Sequence, residues 1–530
     1  MKLGTFAALA LAGMATTSLV VWAATSPAEG SGAQPKASPA SALGNPAQNP
    51  AALDPANPAN PATPASPATP AATQTAFQAG GTLMMEGRLG HTVLPSATDS
   101  ETYLYVDVNA DASLRAKTRS PLNLSIVIDR SGSMKGKRLE NALDAARTAL
   151  NRLNDGDTVS VVAYDRRTEV VVPPTTLDAT ARDRIAAKLK KIRARGDTCI
   201  SCGITAGMRL LSSNRDLLAR QRRIAAASAS PGTPLSALPD TSVNRILLLS
   251  DGEATAGVRD EFGFRRIAEQ CRQMDVSVTT IGVDIDYNER IMAAVARDSN
   301  GRHFFVADAA GLPTVFDQEM ASLDRTVATN TELTVDLAPG IFVDHVFDRT
   351  FVQRGQQVTV PLGAFAAADH KTLLMRLRVP RGPAGERPVA AVRMSYNDLV
   401  DEKAGSCQGE LIARVTDNPT EATPLDGLVS ARVTKSEAAE TLEKANELFR
   451  DGRAGEARGL ISSRRQAFKD RKRKASRAAP SARRGDVDKS FDFADNVLGG
   501  AETGFDPADS EDESAAQVRQ NQADAFDLGE

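Results

Sequence analysis

Apolar residues in the central part of the chain follow two alternating patterns, one typical of buried strands and the other of amphipathic helices. Residues 122–129 (LNLSIVID) form a nearly continuous apolar run, and a helical pattern of Leu and Ala begins after Lys137. Further strand patterns cover residues 157–164, 168–172, 244–250, 276–283 and 303–306, and further helical patterns cover residues 180–193, 203–219, 261–274, 288–298 and 312–327. This alternation predicts βαβ units and therefore an α/β fold with a doubly wound, mainly parallel sheet.

The N-terminal part of the chain departs from this pattern. Residues 1–24 combine one early Lys, an apolar stretch and the small pair Ala23 and Ala24, which is the pattern of a secretory signal peptide. An uncleaved membrane anchor is the alternative, because about 19 residues can just span a bilayer. Residues 25–76 are rich in Ala and Pro, with a Pro at every third position from 55 to 70, and predict a disordered linker with polyproline II character. We therefore expect an exported protein, periplasmic, cell-surface or secreted, without a transmembrane span in its mature form.

Composition excludes several classes of protein. The 63 basic and 66 acidic residues leave a net charge of −3, which argues against a globally basic nucleic-acid binder. Four Cys in 530 residues are too few for a disulfide scaffold, and 42 % apolar residues are enough for at least one large core. A multidomain protein with ordinary cores remains.

Acidic and hydroxyl side chains stand where two of the predicted strands end. A D-x-S-x-S motif, formed by Asp129, Ser131 and Ser133, ends the first buried strand, and Asp251 follows the strand NRILLLS. In a doubly wound sheet the ligand crevice lies at the carboxyl ends of the strands, so neighbouring strands would bring both acids together. Thr198, immediately before a helix, supplies a further hydroxyl. Such an oxygen set suits a small hard cation, and Mg²⁺ takes six oxygen ligands, often including water.

These residues resemble the metal-ion-dependent adhesion site (MIDAS) of the von Willebrand factor A domain. The family pattern is D-x-S-x-S, then a distant Thr, then a distant Asp, and the chain has all five residues. The resemblance implies that Ser131 and Ser133 bind the ion directly and that Asp129 and Asp251 bind it largely through water. It implies that Thr198 binds directly or through water, and that an acidic side chain of a partner takes the sixth position.

A physical argument supports the same partner chemistry. Direct ligands that are mainly neutral hydroxyls leave a divalent cation incompletely neutralised, so a carboxylate from another molecule is a good additional ligand. We expect Mg²⁺ at the site, with Mn²⁺ or Ca²⁺ as alternatives. A D-x-S-x-S motif by itself would favour a simple capped turn, but the matching Thr and Asp favour a metal site.

The resemblance covers about residues 120–327, and residues 282–306 resemble bacterial A domains related to inter-alpha-trypsin inhibitor heavy chains and calcium-activated chloride channel homologues. Those relatives pair the A domain with a β-sandwich. The chain has strand patterns without intervening helices at residues 82–88, 103–108, 330–336, 341–347, 356–362, 371–379, 388–396 and 410–416. We expect an antiparallel β-sandwich of about eight strands into which the α/β domain is inserted.

Cys199 and Cys202 form a C-x-x-C motif directly after Thr198. In an exported chain we expect them to form a structural disulfide, while free thiols or a redox-active pair are the alternatives. A zinc site is disfavoured because no second Cys or His pair has suitable spacing.

The C-terminal region separates its charges. Residues 464–484 contain ten basic residues and one acid, and residues 486–530 contain thirteen acids and two bases. Residues 421–475 show helical spacing on both sides of a turn and predict a helical hairpin, whereas we expect residues 476–530 to be a disordered charged tail. The remaining predicted parts are strands of the β-sandwich at 77–119, the A domain at 120–327 and the rest of the sandwich at 328–420.

The sequence contains no familiar catalytic motif. Its four His are scattered, and neither a G-x-S-x-G motif, an H-E-x-x-H motif nor a Walker loop is present. We therefore expect no enzymatic activity, and the first hypothesis is metal-dependent protein–protein interaction or adhesion outside the cytoplasm, with cell-envelope association and no nucleic-acid partner. A structural envelope scaffold with a non-essential metal site is the second hypothesis, and a thiol-active or hydrolytic enzyme is the third.

Overall fold

A computed structural model describes residues 75–117, 119–227, 242–505 and 511–529 of the protein. The predicted signal peptide and all but the last two residues of the predicted linker lie outside the described residues. Within the described ranges, no helix combines the length and the apolarity needed to cross a membrane.

The inserted α/β domain is built on a sheet whose strands alternate with helices. Four strands precede it, and they are β1 (Ala76–Gly80), β2 (Leu83–Leu89), β3 (Val93–Pro95) and β4 (Ser100–Ala110). The strands of the domain are β5 (Leu122–Asp129), β6 (Thr158–Tyr164), β7 (Thr168–Thr176), β8 (Val243–Ser250), β9 (Val276–Val283) and β10 (His303–Val306). The helices are α1 (Lys137–Arg152), α2 (Ala179–Leu189), α3 (Ile200–Ala227), α4 (Glu261–Gln273), α5 (Glu289–Asp298) and α6 (Leu312–Asp324).

The order of these strands is β10-β9-β8-β5-β6-β7, and only the β6–β7 pair among them is antiparallel. Side chains that alternate along β5 enter two different cores. Ile126 and Ile128 pack in the core formed with α1, α2 and α6, whereas Val127 packs in the core formed with α3, α4 and α5. Both faces of the sheet are therefore covered by helices, which confirms the predicted doubly wound α/β fold and explains the nearly continuous apolar run of β5.

The chain then completes a β-sandwich that the α/β domain interrupts. The later strands are β11 (Thr326–Leu337), β12 (Phe342–Phe347), β13 (Val352–Arg354), β14 (Gln357–Ala366), β15 (His370–Val379), β16 (Gly385–Asp398) and β17 (Lys403–Thr416). One sheet has the order β1-β2-β4-β15-β12 and the other β13-β14-β11-β16-β17-β3. Eleven strands of the described chain thus form the two sheets, rather than about eight, because three short edge strands carry little sequence pattern. β4 precedes the α/β domain in the sequence and β15 follows it, and the two strands pair within one sheet.

Four helices follow the sandwich in the described part of the chain, and the last two correct the prediction of a disordered tail at 476–530. They are α7 (Gly427–Arg450), α8 (Ala454–Ala478), α9 (Arg484–Gly504) and α10 (Glu511–Gly529). Val487, Phe491 and Leu498 line one buried face of α9. Arg465 of α8 pairs with Asp495 and Glu502 of α9, so the opposite charge blocks neutralise one another within packed helices. The high charge of residues 476–530 favours a disordered tail when only the sequence is considered, because the apolar spacing of these helices is weak.

The helix α10 contacts both the α/β domain and α7. Phe526 of α10 packs against Ala293 and Ala296 of α5 in the α/β domain. Arg432 of α7 donates hydrogen bonds to the carbonyl oxygens of Leu528 and Gly529 at 3.3 and 2.7 Å. α10 is therefore held both to the α/β domain and to the helix that packs on the sandwich.

Candidate metal centre

The two predicted acids meet at the carboxyl edge of the α/β sheet. β5 and β8 are parallel neighbours with Ile128 opposite Leu249, so Asp129 ends one strand and Asp251 directly follows the other. The chain order changes direction between these strands, because β6 lies on one side of β5 and β8 on the other. This is the position at which open α/β sheets form their ligand crevice.

Both carboxylate oxygens of Asp129 are held by neighbouring groups. The Ser131 amide donates to Oδ1 at 2.8 Å, and the Ser250 hydroxyl donates to Oδ2 at 2.9 Å. The hydroxyls of Ser131 and Ser133 are 2.9 Å apart, and Ser133 Oγ donates to Asp251 Oδ1 at 2.8 Å. The D-x-S-x-S loop and the loop after β8 are therefore joined directly through side chains.

Thr198 reaches the same crevice from a third loop. A Cβ atom added to Gly252 would lie 3.5 Å from Ser133 Oγ and 3.8 Å from Thr198 Oγ1, so both hydroxyls face this glycine. The Gly132 amide donates to the Gly196 carbonyl at 3.0 Å, which joins the third loop to the D-x-S-x-S loop. The structure thus brings together all five predicted site residues.

The donors fit a small hard cation. Asp129, Asp251 and Thr198 are buried, whereas Ser133 is exposed and opens the crevice to solvent. Across the described ranges there is no cluster of three or more His, Cys, Asp or Glu with metal-binding geometry, so the candidate centre relies on hydroxyls. Three hydroxyl oxygens around two buried carboxylates form the kind of oxygen set that Mg²⁺ binds together with water.

Burial disfavours ionisation of the two acids. Burial, reinforced by the Asp251 charge, raises the pKa of Asp129 to about 6, and burial also raises the pKa of Asp251. A divalent cation between them would reverse this penalty because it stabilises both carboxylates. The electrostatics of the crevice therefore favour a bound cation near neutral pH.

Affinity for Mg²⁺ is expected to depend on pH below about 6. Because the ion must displace the proton of Asp129, affinity should fall about tenfold per pH unit in this range and level off above roughly pH 7. The folded pKa of about 6 exceeds the ordinary Asp value of 3.8. Metal-free protein should therefore lose stability as the pH rises between these values, and Mg²⁺ should restore it. Calorimetric titrations from pH 5 to 8 test this, and a constant affinity between pH 5 and 7 would contradict it.

Arg138 is a further residue of the centre that sequence reasoning missed. Its guanidinium lies 3.3 Å from Asp251 Oδ2, donates to the Ser133 carbonyl at 3.4 Å, and also contacts Asp284 and Asp286. It therefore neutralises part of the negative charge on one predicted ligand. Arg138 is the second residue of α1, and this position does not indicate a role at the centre because its contacts depend on the geometry of the neighbouring loops.

Cys199 and Cys202 form a disulfide beside the third loop. Gly257 has φ +73°, and a Cβ atom there would come within 2.5 Å of Cys199 Sγ, so the loop after β8 packs directly on the disulfide. The amides of Thr255 and Ala256 donate to the Thr198 carbonyl at 3.0 and 3.1 Å. The disulfide thus lies where two of the three loops of the candidate metal centre are held together.

Comparisons with known proteins agree with this fold. A family model for the von Willebrand factor type A domain matches residues 123–318. The uncharacterized protein sll0103 of Synechocystis sp. is 25 % identical over 312 residues, which are 57 % of this chain and 67 % of that protein. Inter-alpha-trypsin inhibitor heavy chain H2 of Sus scrofa is 26 % identical over 237 residues, 42 % of this chain and 23 % of that protein. This chain therefore corresponds to less than a quarter of that heavy chain.

A solved structure supports the arrangement over most of the chain. Von Willebrand factor type A from Catenulispora acidiphila has a TM-score of 0.61 at 17 % identity, and the match covers 84 % of this chain and 98 % of that one. The fold and the crevice define a doubly wound α/β domain with an oxygen-lined site at its switch point. The chain contains a von Willebrand factor type A (VWA) domain, and its likeness to inter-alpha-trypsin inhibitor heavy chains is confirmed.

Proposed function

We propose that this chain is an exported protein whose VWA domain binds a divalent cation and uses it to bind a partner protein through an acidic side chain. The observation that carries the proposal is the charge of the centre. Only Asp129 and Asp251 are acidic among the five site residues, and Arg138 already pairs with Asp251. A bound divalent cation would keep positive charge facing solvent beside the exposed Ser133, where a partner's carboxylate can reach it.

The roles of the residues follow from their contacts. Ser131, Ser133 and Thr198 would hold the ion through hydroxyl oxygens, and the buried carboxylates of Asp129 and Asp251 would bind its waters. Mg²⁺ would supply a Lewis-acidic centre that binds a carboxylate oxygen. The hydrogen bonds from the Ser131 amide and the Ser250 hydroxyl keep Asp129 oriented before the ion arrives. This preorganisation reduces the cost of assembling three loops around one ion.

Binding rather than catalysis is proposed because the four histidines of the chain, the commonest general bases, lie outside the centre. His303 is buried, its Nδ1 lies 2.9 Å from Thr280 Oγ1, and burial lowers its pKa to about 3. His91, His345 and His370 belong to the sandwich region. A hydrolytic reaction at the cation would thus lack a histidine to activate water.

A pair of short peptides tests the proposed function. Acetyl-Gly-Glu-Gly-amide and its Gln counterpart are compared by ligand-observed NMR with the full chain in Mg²⁺ and in EDTA. Saturation transfer is expected only for the Glu peptide in Mg²⁺, because only a carboxylate can enter the coordination shell. Equal transfer in EDTA would contradict the proposal and favour the scaffold alternative.

The variant Arg138→Gln is expected to change metal and carboxylate binding in opposite directions. Removing a positive charge beside Asp251 should tighten Mg²⁺ binding about three- to tenfold, since this side chain is 30 % exposed and partly screened. The less positive centre should bind the Glu peptide about threefold more weakly. Calorimetry measures the first effect and NMR the second.

Arg152→Gln is the matched control for this prediction, because Arg152 lies on the same helix, is 60 % exposed and pairs only with Asp317 in the described contacts. Both affinities should stay at wild-type values in this variant. If Arg138 serves merely to hold Asp251 in place, Arg138→Gln would weaken Mg²⁺ binding instead.

A further inference from the structure

A groove of about 640 Å³ runs between α1 and α2 of the VWA domain. Lys135 and Gly136, which border one side, follow Ser133 by two and three residues. Ala194, which borders the other side, lies two residues before Gly196 of the Thr198 loop. One end of the groove is therefore bordered by residues that adjoin, in sequence, two of the three loops of the candidate metal site.

The floor of the groove is apolar. Leu139 and Leu143 contribute from α1, and Leu189 and Ile192 contribute from the end of α2 and the turn after it. Leu143 is only half-buried against the core of the domain, so its side chain remains accessible from the groove. The segment from Lys137 to Arg147 extends about 15 Å along the helix axis, which an extended peptide covers with about five residues.

The rim of the groove carries an excess of positive charge. Its basic side chains are Lys135, Arg147, Lys190 and Arg193, and its acidic side chains are Glu140 and Asp144. Asp144 is already paired with Arg147 at 3.1 Å. This balance favours an occupant that is acidic around an apolar centre.

The occupant suggested by these features is a segment of another protein. The helix α10 does not occupy the groove, because in the described part of the chain it packs on α5 and α7, on other surfaces of the molecule. A segment that enters the groove from the metal end would present its acidic residue to the cation and its next side chains to the apolar floor. In an extended segment, residues i, i+2 and i+4 point to the same side.

We propose that the α1–α2 groove binds an extended acidic segment of the partner, with the metal-binding carboxylate at position i and apolar side chains at i+2 and i+4. This inference rests on the proposed function, because the carboxylate anchors the segment at the cation. The metal site then gives the partner its dependence on divalent cations, and the groove gives it sequence preference.

Three fluorescein-labelled peptides test the proposal by fluorescence polarisation with the full chain in Mg²⁺. The first is Glu-Ser-Leu-Ser-Leu-Ser, the second has Ser in place of both Leu, and the third has Gln in place of Glu. The Leu peptide is expected to bind about tenfold more tightly than the Ser peptide, because two apolar side chains leave water. The Gln peptide should lose its dependence on Mg²⁺.

Two protein variants separate the groove from the metal site. Leu143→Ser should remove the tenfold preference while leaving Mg²⁺ affinity and binding of the Ser peptide unchanged. Val315→Ser is the matched control, because Val315 is also half-buried against the same core but lies outside the groove, and it should keep the preference.

Each other outcome overturns the inference in a distinguishable way. If the Leu and Ser peptides bind equally and both require Mg²⁺, the proposed function stands and the groove proposal fails. If neither peptide binds in Mg²⁺ while the ion itself binds, both proposals fail. If wild type is a dimer by sedimentation and Leu143→Ser is a monomer, a second copy of the chain is the occupant instead of a partner segment.

Discussion

Asp129→Ala is expected to weaken Mg²⁺ binding at least about 100-fold, at the upper end of what loss of an outer-shell partner costs. Asp129 lies at the centre of the site, where Ser131 and Ser250 donate to its two oxygens. Its loss removes one of only two carboxylates that attract the ion and releases the loop that carries both serines. Titration calorimetry of the full chain with Mg²⁺ measures the change.

The fold of this variant should remain intact. The two lost hydrogen bonds are offset because a buried carboxyl with a raised pKa no longer has to ionise. In EDTA, variant and wild type should therefore melt within a few degrees of each other, whereas Mg²⁺ should stabilise wild type alone. Asp317→Ala removes an exposed carboxylate of α6 and serves as control. Wild-type Mg²⁺ affinity in Asp129→Ala would disprove the assignment of the site.

Arg432→Ala is expected to lower the free energy of unfolding by about 3–5 kcal/mol, since it leaves a buried charge without its partner. The Arg432 side chain is 4 % exposed and lies 3.0 Å from Asp348 Oδ2. It also donates to Thr372, Ser436 and the last carbonyls of α10, so one substitution removes the polar link from the end of α10 to α7 and the sandwich. Urea unfolding gives the energy, and hydrogen exchange should show faster exchange of the α10 amides.

Arg473→Ala is the matched control for this effect. Arg473 is 74 % exposed and pairs with Asp470 on its own helix, so its loss should cost less than about 1 kcal/mol. Equal and small effects of both variants would show that the polar contacts of α10 do not hold it in place.

The α/β domain could be predicted well because its signals are local. The apolar runs of β5 and β8 and the acids that end them specify both the sheet and the place where the ligand crevice forms. The position of Thr198 before a helix suggests a further hydroxyl ligand, but its assignment to this site rests on the family pattern, because the contacts that bring it to Gly252 join loops far apart in sequence.

The remaining parts depended on contacts that no local pattern reveals. Arg138 looks like an ordinary exposed basic residue of an amphipathic helix until β9 and its following loop bring Asp284 beside it. The sequence pattern predicts a disordered C-terminal tail because it does not show that the basic and acidic blocks pair with each other. Its helices are stabilised by pairing between the basic and acidic blocks, as at Arg465 and Asp495, and by burial of Phe491.

Water-proton relaxation with Mn²⁺ tests most directly the claim that this centre holds a cation open to a partner's carboxylate. The full chain should bind Mn²⁺ with exchangeable water on the ion, which enhances the relaxation rate of bulk water. Saturating glutarate should lower that enhancement by displacing water from the ion, whereas glutaramide should leave it unchanged. An enhancement that glutarate does not alter, or the lack of any bound Mn²⁺, would contradict the account.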